Sequence, residues 1–127
     1  MIDPHFQAIE KVIRDDLLVT TFDIDRTYMT HTRAYIKGKI NFADGSSLAF
    51  FQHVQMAEEG LHITDYRYHY MDADAQMIFR YDNAPHHREL GTFPHHKHLP
   101  TGLQCTLIPD FEKILKEIDN IILKSIL

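Results

Sequence analysis

The chain has 127 residues, a single cysteine (Cys105) and no tryptophan. One thiol excludes an internal disulfide and any CxxC metal knuckle, and leads us to expect a protein of a reducing compartment, the cytoplasm. Glycine is scarce, at five residues. No GxGxxG or GxxxxGK run offers the phosphate cradle of a dinucleotide or nucleoside-triphosphate site. No apolar run reaches the ~18 residues of a membrane span. The opening Met1-Ile2-Asp3-Pro4-His5-Phe6 lacks the basic-then-apolar layout of a signal peptide. No membrane partner is therefore expected. A positive excess is missing too: the formal charge is −5 with histidine neutral, which disfavours a protein that holds DNA by its overall field. Ser46-Ser47 sits at a hairpin tip, a poor setting for a triad nucleophile. Cys105 has no base fixed beside it and reads as a small packing residue.

What the chain has in quantity is histidine. Ten are present, and five lie in "YDNAPHHRELGTFPHHKH", Tyr81 to His98. From Arg80 to His98 the fixed cations Arg80, Arg88 and Lys97 stand against Asp82 and Glu89. This stretch is locally basic, and each protonated imidazole would add to its charge near neutral pH. Three readings compete for it: a metal site, a catalytic site for phosphate chemistry, and a solvated loop.

The apolar share of 44% suits one packed core, and the length suits one domain over residues 1–127. Asp3-Pro4 reads as an N-cap with proline at the first helical position. Phe6, Ile9, Val12 and Ile13 then recur at helical spacing through residue 16. From Leu18 the period drops to two. Leu18 to Ile24, Ala34 to Phe42 and Leu48 to Met56 alternate as strands, with Asp44-Gly45 as a hairpin turn. Leu61–Met71 and Met77–Tyr81 make a second hairpin around Asp72–Gln76. Pro109 opens a C-terminal helix whose apolar stripe runs from Phe111 to Ile122. The expected fold is α+β: an N-terminal helix, a five-stranded antiparallel meander, a His-rich irregular segment and a C-terminal helix. Both helices should cover one sheet face and leave the other open.

"YRYHY" puts Tyr66, Tyr68 and Tyr70 on one strand face and Arg67 and His69 on the other. The plain reading is an aromatic strand with one solvated side. The functional reading is that Arg67 and His69 share a cleft with Arg80 and Asp82 of the next strand, subject to a register the sequence leaves open. Asp82-Asn83 reads equally as an Asx-turn at a strand end or as a carboxylate that orients an imidazole. "FPHHKH" could hold a metal, since imidazole ligates zinc and nickel. Yet adjacent histidines do not readily turn both rings onto one ion, and no HExxH motif supports it. Phosphodiester cleavage in RNA asks for less: a base for the 2′-hydroxyl proton, an acid for the leaving oxygen, and cations for the charge that develops. Histidine, arginine and lysine supply all three. The candidate catalytic set is Arg67, Arg80, Asp82, His86, His96, Lys97 and His98, with His86 and His96 in the proton-transfer roles. No cofactor and no metal are assigned.

The run from Tyr66 to His98 resembles the TumE-like toxins of prokaryotic type II toxin–antitoxin modules. The resemblance rests on Tyr66, Tyr68, His69 and Tyr70; on Arg80 to Asn83, Pro85, His86 and His87; and on Phe93 to His98. Arg88 stands where the family pattern suggests proline, and Gln52 where an acid is often found. The resemblance implies a growth-inhibiting protein with a cognate antitoxin that carries a helix-turn-helix domain. With the helix-then-sheet analogy to small ribonuclease toxins, it implies an RNA substrate and a metal-independent endoribonuclease. The alternatives are a non-catalytic nucleic-acid- or protein-binding module and a His-liganded metal-dependent hydrolase. Homodimerisation is left open.

Overall fold

The structure is a computed structural model and describes residues 1–85 and 94–126. Its elements run α1 (Ile2–Asp15), β1 (Val19–Tyr28), β2 (Arg33–Phe42), β3 (Ser47–Ala57), β4 (Gly60–Met71), β5 (Met77–Asp82), β6 (His96–Leu99), β7 (Gly102–Cys105) and α2 (Phe111–Ile126). The strands form one antiparallel sheet in chain order, each paired with the next. The α+β class and the two terminal helices are as the sequence predicts, but the sheet has seven strands rather than five. Two short strands, β6 and β7, occupy part of the segment expected to be irregular and the residues after it. Their hairpin closes at Leu99↔Gly102, and Gly102 takes a φ of +137° that a side chain would resist. The alternation in β6 is carried by histidine rather than by apolar residues, so it leaves no hydrophobic period to read.

Alternation assigns the sheet's two faces. Ala34, Ile36, Ile40, Leu48, Phe50, Val54, Tyr68, Tyr70 and Phe79 point to one side and are buried there. Ile2, Phe6, Ile9 and Ile13 of α1 and Phe111, Ile114, Leu115, Ile118 and Ile122 of α2 join them in a single core. Burying each such side chain contributes about 1.5–3 kcal/mol. Phe111 packs edge-on against Phe50, with ring centroids 5.1 Å apart. The buried polar groups on this side satisfy one another: His5 meets Gln52 (2.8 Å), and Gln52 Nε2 donates to the Tyr68 hydroxyl (2.7 Å). Gly38 lies where β2 comes close to β1, and a Cβ there would be 2.5 Å from the Asp23 carbonyl oxygen.

The helix boundaries shift slightly from expectation. α1 begins at Ile2 with Met1 at its N-cap. Pro4 falls in the first turn, where its missing N–H is tolerated. α2 begins at Phe111 rather than at Pro109, and Asp110 caps it: Asp110 Oδ1 accepts from the Glu112 N–H (3.0 Å), and the Asp110 carbonyl accepts from the Ile114 N–H (3.1 Å). The second face of the sheet, away from the helices, carries Lys37, Lys39, Arg67, His69, Arg80 and Asp82.

Candidate active site on the open face of the sheet

Strand pairing lays two rows across this open face. One row runs Asp25, Lys37, Phe51, Arg67, Asp82, His96 and Cys105, each opposite the next. The row beside it runs Asp23, Lys39, Ala49, His69, Arg80, His98 and Leu103. A depression of about 730 Å³ lies over part of both rows, lined by the acids Asp23 and Asp25, the cations Lys37, Lys39, Arg67 and Arg80, and by Ala49, Phe51 and His69. Lys37, Lys39 and Arg67 are exposed, and His69, Arg80 and His98 half-buried.

At one end Asp82 is the hub. Only 5% of it is exposed. Its Oδ1 accepts from the Ala84 N–H (3.1 Å), which is the Asx-turn. Its Oδ2 accepts from Arg80 Nε (3.1 Å). His96 Nε2 stands 2.6 Å from Oδ1 and His98 Nε2 3.5 Å from Oδ2. His96 Nδ1 donates to the Pro94 carbonyl (2.8 Å). The Asx-turn and the carboxylate that orients imidazoles are thus the same residue. Asn83 ties the strand end down: its Oδ1 accepts from the Tyr66 N–H (3.0 Å) and its Nδ2 donates to the Thr64 carbonyl (2.9 Å).

His69 differs from its neighbours. Burial, then the charges of Arg80 and Arg67, lower its pKa below the ordinary imidazole value. The ring therefore stays neutral at neutral pH and can accept a proton.

Of the seven residues expected at the site, Arg67, Arg80, Asp82, His96 and His98 come together on the open face. His96 is fully buried there. Lys97 alternates to the helix side. Its Nζ donates to Glu117 Oε2 of α2 (2.8 Å) and lies 4.9 Å from the Tyr81 ring centroid. The Tyr81 hydroxyl donates to the other Glu117 oxygen (2.7 Å), so the group links β5 and β6 to α2. His86, together with Arg88 and His87, lies outside the described residues. The candidate set omitted His69, Lys37, Lys39 and Phe51. Alternation within "YRYHY" already places His69 beside Arg67. Lys37, Lys39 and Phe51 needed the β2–β3–β4 register.

The arrangement defines a small α+β protein whose helices cover one sheet face, while the other bears a depression with a cationic excess and His69 in its lining. The family model described as Toxin TumE matches residues 9–125, so the chain belongs to the TumE toxin family. It is a toxin of a toxin–antitoxin system, with a cognate antitoxin as its partner. No curated protein and no solved structure matches the chain. Among the described residues, no helix is long and apolar enough to cross a membrane.

Proposed function

We propose that this toxin acts as a metal-independent endoribonuclease whose site is the open face of the sheet. The observation that carries the reading is the row His69, Arg80, His98 on three neighbouring strands. Two strand spacings set the outer Cα atoms roughly 10 Å apart. A phosphodiester fits between the two rings with Arg80 beneath it. Neutral His69 takes the proton of the 2′-hydroxyl. The 2′-oxygen attacks phosphorus and the bond to the 5′-oxygen breaks. His98 gives its proton to that leaving oxygen, and Asp82 Oδ2, 3.5 Å away, balances the imidazolium charge. Arg80 and Arg67 meet the charge on the pentavalent phosphorus. Lys37 and Lys39 lie farther along the same rows to hold flanking phosphates, and Phe51 offers a ring face to a base. His96, being buried, positions Asp82 rather than touching RNA.

The test is cleavage of a single-stranded RNA by the purified chain in excess EDTA. The expected products carry 2′,3′-cyclic phosphate and 5′-hydroxyl ends. His69→Gln and His98→Gln should retain RNA binding and lose cleavage by a factor of about 10² or more. Cleavage that EDTA abolishes, or that survives both substitutions, would refute the assignment.

A further inference from the structure

We propose that Asp82, His96 and His98 form a binding site for a divalent transition-metal ion of the zinc or nickel class. One carboxylate oxygen and one ring nitrogen from each histidine lie within 4.8 Å of one another at the β5–β6 seam. Zinc with bonds of about 2.0–2.1 Å separates tetrahedral ligand atoms by roughly 3.3–3.5 Å. The observed separations of 2.6 and 3.5 Å therefore need only small side-chain adjustments. The two rings already stand nearly perpendicular, with centroids 4.7 Å apart, so they converge without stacking.

The protonation pattern points the same way. The Pro94 carbonyl can only accept, so His96 Nδ1 carries a proton. In the neutral ring Nε2 then presents a lone pair to a carboxylate oxygen 2.6 Å away. Two electron-rich atoms this close in a buried site need a cation between them. A proton on His96 would serve for that one pair. A metal ion serves for both, because His98 brings a second Nε2 to the same carboxylate. A ligating histidine usually donates its other ring nitrogen to a backbone carbonyl, as His96 does to Pro94, and a ligating carboxylate is held by a further hydrogen bond, as Asp82 is by Arg80 and the Ala84 N–H. The ligands sit on adjacent strands rather than on a loop, which answers the objection that neighbouring histidines cannot share an ion. His96 and His98 are two apart, so alternation points both to the same face.

An ion here would fasten the β6–β7 hairpin to β5. It would also engage His98, to which the ribonuclease reading gives the protonation of the leaving oxygen. That last consequence rests on that reading, whereas metal binding does not. The experiment is calorimetric titration of the EDTA-stripped full chain with zinc chloride, beside the visible absorption spectrum with cobalt(II). The expected result is one ion per chain, a raised melting temperature, and a cobalt spectrum of low-symmetry nitrogen–oxygen ligation. His98→Ala and Asp82→Asn should each weaken zinc binding about 100-fold or more, and His62→Gln, on the surface of β4, should leave it unchanged. If Asp82→Asn fails to fold, His98→Ala and the cobalt spectrum decide. No zinc binding by the parent chain, or undiminished binding by His98→Ala, would overturn the site. RNA cleavage by the metal-free chain is measured separately, so either proposal can fail alone.

Discussion

His69 shows how little distance separates a surface histidine from a useful one. Its ring is half-buried beside two guanidinium groups, and both effects disfavour the imidazolium. As a proton acceptor it works only when neutral, so the cleavage rate should rise with pH through its lowered pKa. The rate should then level off below the ordinary imidazole range. A pH–rate profile under single-turnover conditions checks this, and His69→Gln should remove that limb. An ascending limb centred above the ordinary value would assign the base to another group. Lys97 makes the opposite case. Its motif, between two histidines, suggests the site, yet its ammonium is committed to Glu117 beneath the sheet, where it lies over Tyr81. Burial works against its charge, but the bonds to Glu117 and Tyr81 more than offset it and raise its pKa. Lys97→Ala should therefore cost about 1–2 kcal/mol of stability while growth arrest persists. Denaturant unfolding and a plating assay test the two parts. A fully stable variant without toxicity would return Lys97 to the reaction.

Among elements, legibility follows the source of the pattern. α1, α2 and the first five strands were readable because apolar residues repeat at the period of their structure, and Asp44-Gly45 announces its turn. The β6–β7 hairpin was not, because His96, Lys97 and His98 alternate between a polar site and a polar tie to α2, with no core-facing apolar residue among them. Register was equally hidden. Slips between Tyr70 and Met71 and between His53 and Val54 decide which residues of β3, β4 and β5 face each other, and no sequence period encodes them. The joint between the helices carries its own signature. Asp16 ends α1, and Asp119 of α2 approaches it. Burial, then the bond and charge of Asp16, push Asp119 up to about 7. The folded state thus holds a proton that the unfolded chain releases near pH 4. The stabilisation is complete below that value, declines as pH rises, and is gone once pH passes about 7. Melting temperatures from pH 4.5 to 8 should fall across this window, and Asp119→Asn should flatten the slope. An unchanged slope in that variant would assign the effect elsewhere.

At the scale of the molecule, net charge misleads because the two faces differ. The helices that cover one side carry six acids against five cations, and the acidic excess sits in the turns, at Asp16, Asp44, Glu58, Glu59, Asp72, Asp74 and Asp110. Lys37, Lys39, Arg67 and Arg80 line the depression on the other side with Asp23 and Asp25, leaving a positive excess there. An acidic chain can thus present a cationic surface, and a polyanion would approach it from one direction only. The rest of the field repels phosphate and discourages binding elsewhere, so the number of phosphates engaged should match the number of cations on the open face. Each phosphate neutralised on a single strand contributes a slope of about −0.7 to log K against log salt. Four such contacts predict a slope of about −3 for a catalytically inactive His69→Gln variant binding a short single-stranded RNA. Removing one cation through Lys39→Ala should reduce the magnitude of the slope by about 0.7 and weaken binding to all sequences alike. Lys113→Ala, on α2, should change neither quantity. Fluorescence anisotropy from low to moderate salt measures all three. A slope near zero, or one that responds to Lys113 and not to Lys39, would move the RNA away from the open sheet and remove the ground for placing its cleavage there.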